Sequence, residues 1–503
     1  MRHLSIALTL VVAALLLSTR PSSSAPRFSR TEWIEAHELE NRFDSGALPA
    51  RAPAQRTVER ALAGSIADDA DKATIANVQV NVDLFLDLPN DGSAAQPETQ
   101  AEPFLAIDPL DERRLLAGYQ EGRFASGGAR ALSFALSTNG GRRWRVGAIP
   151  VLTELTGGPW QRASDPWVAF GPDHRAYYAS LAFDETRPDN AVVVSTSTDR
   201  GGSWGAPVTV HQPTGTDFDD KEAIVVDTRA DSPFRGRVYV AWDMARQDSS
   251  QPLLISSSAD GGATFSPAVT VKQGVNLGAL PLVGPGGVVH LVWNDFSRND
   301  RIDLLTARSD DGGESWSAPV RIESSFAAGV REMRTGDIIP AAAVDPRNGT
   351  LYVVWQDARF TGGVDQVVIS RSTDGGASWS PAEPVSDGPS DAASFTPAIA
   401  VDGGGRVGVA YYSLRNDPGR LLGVDLYLAF STDAGVTFAP SRRISRTTWD
   451  ATFAAFSRGK FLGDYQGLVA GKKLFHPLFV TTYRRSALDG DRLQPDVFTA
   501  SIR

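Results

Sequence analysis

Short runs of alternating apolar and polar residues fill most of the chain, separated by clusters of glycine, proline, aspartate and serine. Such alternation is typical of half-buried β-strands joined by tight turns. The pattern is clearest between residues 339 and 385, where it predicts four strands. Strand A covers 339–345, strand B 351–355, strand C 366–372 and strand D 382–385. The alternation therefore predicts an all-β fold from about residue 76 onward.

The A–B pair of strands recurs along the chain. Further pairs are predicted at 103–119, 166–183, 223–242, 280–293, 397–411 and 467–482. The last unit has a C strand at 496–502 but no D strand after it, and the apolar–polar alternation of 77–83 can supply the missing strand from the other terminus. Closure of this kind removes open sheet edges. We therefore predict one seven-bladed β-propeller over residues 76–503, with six blades as the alternative.

An eight-residue motif returns between the predicted strands C and D. Ser372–Trp379 reads Ser-Thr-Asp-Gly-Gly-Ala-Ser-Trp, and related copies begin at Ser137, Ser197, Ser258, Ser309 and Ser431, about 60 residues apart. The copy at Ser137 has Asn139 in place of the aspartate. Gly376 can supply the positive φ of a hairpin turn, and the Asp374 carboxylate can accept hydrogen bonds from N–H groups of the turn. The closing Trp or Phe is expected to bury its ring between neighbouring repeats.

These motifs resemble the Asp-box, or BNR repeat, of sialidases and related β-propellers. Six copies in register are specific for the fold, and the resemblance covers about residues 76–503. It implies a protein of the sialidase-like superfamily, whose sialidases have six blades. The box itself implies no activity, because it is a structural turn in many unrelated proteins.

The first 75 residues differ from the rest. Residues 1–25 combine Arg2 and His3 with an apolar run and small residues, which predicts a secretory signal peptide. Residues 26–75 are expected to form a leader segment that is partly helical or disordered. The chain has no cysteine, which excludes disulfides and thiolate metal sites. Its formal net charge of −10 argues against nucleic-acid binding. We expect a secreted monomer, extracellular or periplasmic, without cofactor, metal or membrane span in the mature chain.

The propeller layout sorts the chemistry by face. If strands run from the centre outward, the motif turns lie on one face, and the D–A and B–C loops lie on the other. Acidic residues precede strand A at Glu102, Asp165, Asp219, Asp220, Glu222, Asp337 and Asp464, and Tyr465 follows the last of them. Arginines follow strand B at Arg123, Arg187, Arg246, Arg298, Arg359 and Arg415, with Arg484 and Arg485 in the last unit.

Two interpretations of these residues remain open. The six arginines, with Asp165 and Asp337, can form a ligand-binding set, because guanidinium groups hold carboxylate or sulfate through two hydrogen bonds. The arginines can equally brace loops by pairing with local acids such as Asp357 or Asp295. Acids that converge near the axis would repel one another unless they pair with arginine, Lys221 or a cation.

The resemblance to sialidases implies an arginine triad, a Tyr nucleophile assisted by a Glu, and an Asp acid/base. On this chain it points to Tyr465 as nucleophile, Glu222 as its partner and Asp464 as a further catalytic acid. The Arg-Ile-Pro signature of that family is absent, since the corresponding strand reads Glu102-Pro103-Phe104-Leu105. Two functions therefore stay open. One is a non-catalytic propeller that recognises a glycan, a protein or another, carboxylate-bearing ligand. The other is a sialidase-like glycoside hydrolase of the exo-alpha-sialidase type. The missing signature favours the first.

Overall fold

A computed structural model describes residues 75–85, 95–298, 301–335, 339–417, 422–482 and 494–503. The predicted signal peptide and nearly all of the leader lie outside the described residues, as do Asp337, Arg484 and Arg485. Helical structure in the described ranges is limited to three short 3-10 turns, Glu154–Thr156, Pro285–Gly287 and Ala451–Phe453. The prediction of an all-β fold is confirmed. In these same ranges no helix is long and apolar enough to cross a membrane.

Most strands of the described chain form seven groups of four antiparallel strands, named here units 1 to 7, each with strands A to D. Units 1 and 2 join into one eight-stranded sheet through the pairing of Ala129 with Ala163, and Trp449–Asp450 adds a fifth strand to the sheet of unit 6. Unit 1 consists of Ala95–Asp108, Asp111–Phe124, Ala129–Ser137 and Arg145–Ala148. Unit 2 consists of Arg162–Phe170, Ala176–Phe183, Asn190–Ser197 and Val208–His211. Unit 3 consists of Phe218–Val226, Val238–Ala245, Leu253–Ser258 and Val269–Lys272. Unit 4 consists of Asn276–Val283, Val289–Asp295, Ile302–Ser309 and Val320–Ser325. Unit 5 consists of Ala341–Val344, Leu351–Asp357, Gln366–Ser372 and Glu383–Pro384. Unit 6 consists of Ser394–Val401, Val407–Ser413, Gly423–Ser431 and Arg442–Arg443. Unit 7 consists of Gly467–Ala470, Phe475–Thr482, Pro495–Thr499 and Val78–Gln79.

Strand D of unit 7 comes from the start of the described chain. Val78 lies opposite Thr499 and Gln79 opposite Phe498 in an antiparallel pairing. The Val80 N–H extends it by donating to the Val497 carbonyl at 2.8 Å, and the Val80 side chain is buried. The first strand thus covers the edge that the last unit would otherwise leave open.

The A strands form a ring of contacts. Each A strand contacts the A strands of the units before and after it, and the A strand of unit 7 contacts that of unit 1. We call the line that these strands surround the axis. The apolar core lies between neighbouring units; one cluster joins Leu280 and Val292 of unit 4 to Val353 and Trp355 of unit 5.

In all six motif turns the first serine accepts a hydrogen bond from the N–H of the fifth residue and donates to the third residue. The turn of unit 5 shows this pattern together with further bonds. The Asp374 carboxylate accepts from the Ser378 N–H at 2.9 Å and from the Ser378 hydroxyl. The Ser372 hydroxyl donates to Asp374 at 2.7 Å and accepts from the buried Gly376 N–H at 2.9 Å. The Trp379 indole N–H donates to the Gly376 carbonyl at 3.2 Å. The aspartate therefore accepts from the exposed Ser378 and from the Ser372 hydroxyl, and the serine in turn satisfies the buried Gly376 N–H.

Candidate functional site

Strand A carries a bulge near its start in five of the units. The register with strand B shifts between Ala101/Phe104, Ser164/Trp167, Asp220/Ala223, Leu277/Leu280 and Phe395/Ala398. Inside these bulges a positive φ is adopted by Glu102 (52°), Asp165 (51°), Lys221 (50°), Gly278 (75°) and Thr396 (46°). Such a conformation costs a non-glycine residue on the order of 1–3 kcal/mol and is concentrated at functional sites. The bulges bring Glu102, Asp165 and Lys221 into one electrostatic group at the axis.

Lys221 is the central cation of this group. Its Nζ lies 2.5 Å from Asp464 Oδ2 and 3.7 Å from Asp165 Oδ1. Arg334 shares the same Asp464 oxygen at 2.6 Å. All four side chains are buried. A buried lysine and arginine thus offset the repulsion of the converging carboxylates. The described residues hold no set of three His, Cys, Asp or Glu side chains arranged for a metal ion.

Two buried acids of the group have no hydrogen-bond donor among the described residues. Both carboxyl oxygens of Asp165 and both of Glu222 lack such a partner, although the side chains are only 1% and 0% exposed. Burial, followed by repulsion from Asp165, raises the pKa of Glu222 well above its ordinary value. The pKa of Glu102 is raised for the same two reasons. Buried polar atoms are normally satisfied, so these four oxygens are exceptions among the described residues.

Three aromatic rings lie beside the acids. Phe104 and Trp167 follow the bulge residues Glu102 and Asp165 by two positions, and their ring centroids are 3.7 Å apart. The Tyr465 ring lies 5.1 Å from Trp167 and 6.1 Å from Phe104. The Tyr465 hydroxyl donates to the Pro166 carbonyl at 3.3 Å. Phe104 and Trp167 keep partial exposure, so this aromatic cluster offers an apolar surface next to the acids.

The pKa of Tyr465 is raised well above its ordinary value. Burial is the main cause, and the negative charges of Glu102, Asp165 and Glu222 add to it. Each of these effects disfavours the phenolate. The structure therefore brings Tyr465 and Glu222 into one electrostatic group.

A small three-stranded sheet, which we call the cap, is built from two long D–A connections. Met333–Arg334 pairs in parallel with Lys460–Phe461, which pairs antiparallel with Ala455–Phe456. The cap reaches unit 1 through Gln96, whose amide exchanges hydrogen bonds of 2.9 and 2.7 Å with the main chain of Phe456. It reaches the axis through the Arg334–Asp464 pair. The cap thus lies against the axial acids on the side of the D–A loops.

Arg123 links the cap to the axial acids. Its guanidinium donates to Gln120 Oε1 at 2.5 Å and to the Ser457 hydroxyl at 2.9 Å. Gln120 in turn donates to Glu102 and to the Ser164 hydroxyl. Arg123 and Arg334 lie over the same Phe461 ring, with guanidinium carbons 4.1 and 4.8 Å from its centroid. These two guanidinium groups therefore serve as internal braces.

The structure places the other candidate arginines away from this group. Arg187 pairs with Asp184, Arg298 lies 3.8 Å from Asp303, and Arg359 pairs with Asp357 at 2.8 Å. Arg415 pairs with Asp387 at 2.9 Å and lies over the Tyr427 ring. Arg246 lies in the B–C turn of unit 3, where its main chain bonds to Ser250. Four of the six arginines thus brace the loops in which they occur.

The remaining candidate acids also have structural partners. Asp219 accepts hydrogen bonds from His211 and from the Trp242 indole. Asp220 accepts from the Lys221 N–H at 2.9 Å. These contacts separate Asp219 and Asp220 from Asp165 and Glu222, whose oxygens accept no hydrogen bond from another described residue. Asp295, named from the sequence as a local partner for an arginine, lies 3.5 Å from Lys272.

Sequence reasoning missed the polar residues that hold the bulges in place. Asp243 of unit 3 accepts from the bulge N–H of Gly278 in unit 4, and Gln356 of unit 5 accepts from that of Thr396 in unit 6. Burial raises the pKa of Asp243 to about 7. A signal was available, because each of these residues directly follows the large aromatic residue of strand B.

No family model and no curated protein matches the sequence. Among solved structures, a protein of unknown function from Dyadobacter fermentans is similar with 14% identity over 86% of this chain and 99% of its own, at a TM-score of 0.47. A Hadza microbial sialidase is similar with 15% identity over 74% and 73%, at 0.43. The alpha-L-arabinofuranosidase Arb93A from Fusarium graminearum is similar with 13% identity over 68% and 93%, at 0.43. These TM-scores are below 0.5, so no conclusion about fold or function rests on them.

Proposed function

We propose that this chain is a secreted seven-bladed β-propeller with Asp-box turns that binds a glycan at its axis, on the face of the D–A and B–C loops. The blade count is supported by the closed ring of A-strand contacts and by the pairing of Val78–Gln79 with the last strand. The six shared turns support the Asp-box assignment. Secretion is supported by the signal-like sequence of residues 1–25.

The observation that carries the binding proposal is the pair of carboxyl groups without hydrogen-bond donors. A buried acceptor that has lost its water and gained no partner costs about 1–3 kcal/mol, and Asp165 and Glu222 together present four such oxygens. Sugar hydroxyl groups are donors of suitable size for this role. A carboxylate ligand is a poor match, because it brings acceptors to a place that already has an excess of them.

The aromatic cluster supports the same ligand class. Sugar rings present apolar C–H faces beside their hydroxyl groups, and pockets of mainly apolar lining with a few placed polar groups are the usual form of ligand sites. Phe104 and Trp167 offer partly exposed rings next to the acids. An apolar surface and a set of acceptors therefore meet at one place.

The test measures binding of oligosaccharides by calorimetry after a glycan-array screen that includes neutral, amino and sialylated glycans. Wild-type protein is expected to bind a glycan without a carboxylate. Asp165→Asn replaces one of two acceptor oxygens by a donor and is expected to raise the dissociation constant about tenfold, since a ligand donor left unpaired in the site costs about 1–3 kcal/mol. Asp219→Asn is the matched control, because that buried aspartate already bonds to His211 and to the Trp242 indole.

The control variant is expected to bind within about twofold of wild type. An equal loss of glycan affinity in the two variants would show that Asp165 does not contact the ligand. Absence of binding across the array, or binding confined to sialylated glycans, would overturn the proposal.

A sialidase-like glycoside hydrolase is the second candidate, favoured by the position of Tyr465 among three acids. The pKa of the Tyr465 phenol is raised by burial and by the charges of Glu102, Asp165 and Glu222. A tyrosine with a neighbouring carboxyl group is the pair that a hydrolase of this type uses. The test is release of fluorophore from a panel of aryl glycosides, with sialosides first. No turnover by the wild-type protein leaves only the binding function.

A further inference from the structure

The axial acids are almost closed to solvent. Asp165 is 1% exposed, Glu222 0% and Tyr465 8%. The proposed glycan site rests on these residues, so a ligand can reach it only if a covering element moves. The cap is the element that lies over the acids on the side of the D–A loops, and it is the first candidate for that movement.

The cap is attached differently on its two sides. Met333 packs into an apolar cluster shared by units 6 and 7, which includes Trp449 and Phe479. Toward unit 1 and the axis the cap is held mainly by hydrogen bonds: Gln96 with Phe456, Arg123 with Ser457, and Arg334 with Asp464. The strand pairing of the cap stays within its own three strands, and one main-chain hydrogen bond, from the Glu102 N–H to the carbonyl of Leu462 directly after the cap, joins it to unit 1 at 3.2 Å. Apolar packing on one side and separable hydrogen bonds on the other give the cap a hinge side and a release side.

We infer that the cap is a gate over the axial site and that Arg334 is the residue that latches it. Arg334 belongs to the cap, and its guanidinium bonds to the Asp464 oxygen that Lys221 also contacts. When the cap moves away, Lys221 stays with Asp464 and keeps that carboxylate paired. The contact between Arg334 and Asp464 can therefore break while the Asp464 carboxylate keeps its ion pair with Lys221.

Because the chain has no cysteine, one introduced thiol reports the accessibility of one position, and no ligand is needed. Ser164→Cys places the thiol beside Asp165, where Ser164 is 3% exposed. Ser195→Cys places it in strand C of unit 2, at a position that is 1% exposed and away from the cap. Reaction with a thiol reagent such as DTNB under native conditions gives the rate at which each position opens.

The thiol of the Ser164→Cys variant is expected to react at least tenfold faster than that of Ser195→Cys, because only the cap has to open. Adding Arg334→Met is expected to raise the rate of the first thiol about tenfold and to leave the second unchanged. Arg298→Met is the control, since Arg298 is 59% exposed beside Asp303. Equal rates at the two thiols, or no effect of Arg334→Met beyond that of Arg298→Met, would overturn the gate. A gate that passes this test while the glycan array stays empty would refute the binding function alone.

Discussion

Ser372→Ala tests which residue of the repeated turn stabilises the fold. The Ser372 hydroxyl accepts the hydrogen bond of the Gly376 N–H at 2.9 Å, and Gly376 is buried. A side chain placed on Gly376 would meet Leu351 and Thr306 at 3.5 and 3.6 Å, so the surroundings of this amide are mostly apolar. Removing the hydroxyl therefore leaves a buried donor without an acceptor.

The magnitude follows from the exposure of the donors. An unsatisfied buried N–H costs about 1–3 kcal/mol, which is the loss expected for Ser372→Ala. Asp374→Ala removes an acceptor from Ser378, which is exposed, so its groups can turn to water. It also removes the acceptor of the Ser372 hydroxyl, which keeps its hydrogen bond from the Gly376 N–H. Its expected loss is under about 1 kcal/mol. The sequence suggested that the aspartate is the main acceptor of the turn, and the structure assigns the buried donor to the serine.

The assay is urea unfolding, in which the free energy of unfolding is taken from the midpoint and slope. Ser378→Ala is the matched control, since it removes a serine hydroxyl from the exposed part of the same turn. Hydrogen bonds from Ser378 hold the pKa of Asp374 at about 2. A carboxyl whose folded pKa is below its ordinary value of 3.8 stabilises the fold above that value and loses this effect as the pH falls toward 2.

The difference between wild type and Asp374→Ala should accordingly shrink on acidification below about pH 4. The difference for Ser372→Ala should largely persist, because it stems mainly from a backbone amide that does not titrate. A larger loss for Asp374→Ala than for Ser372→Ala at neutral pH would refute this division of roles.

Two further predictions concern the closing strand and Tyr465. Deletion of residues 1–85 removes Val78–Gln79 and the buried Val80, so it should abolish the cooperative melting transition, whereas deletion of 1–74 should leave it intact; equal transitions in differential scanning calorimetry would show that closure is dispensable. Tyr465→Phe removes only a hydroxyl that donates to Pro166 at 3.3 Å, so it should cost about 0.5–1.5 kcal/mol in urea unfolding and leave glycan affinity unchanged. A loss of turnover by orders of magnitude, in a wild type that hydrolyses aryl glycosides, would contradict this and establish the phenol as nucleophile.

The strands were predictable because their signal is local. In unit 5 the alternation predicted strand C at 366–372, and the structure has Gln366–Ser372. The fourth strand of unit 7 was also predictable, because the count of A–B pairs exceeded the count of motif turns and left one strand missing. The bulges were not predicted, since a single residue with positive φ inside a strand leaves the alternation around it nearly unchanged.

The cap could not be predicted from the alternation of apolar and polar residues. Its strands have two residues each, too few for any alternation, and it joins Arg334 to Phe461, which are far apart in sequence. Arg334 was not among the candidate arginines because those were chosen by their spacing from strand B. One signal was available: the connections before strands A of units 5 and 7 are longer than the one before unit 3, and long connections commonly carry function.

The carboxyl groups of the motif turns and those at the axis differ in their hydrogen bonds and in the direction of their pKa shifts. Asp374 is exposed and hydrogen-bonded, and its pKa is lowered, so its ionised form stabilises the fold. Glu222 is buried without a donor among the described residues, and its pKa is raised; Asp165 shares that lack of donors and also has a positive φ. Such features oppose folding stability and persist where the surrounding structure imposes them. Asp165 and Glu222 bring four such carboxyl oxygens to the axis, so a ligand that donates hydrogen bonds to them should raise the melting temperature.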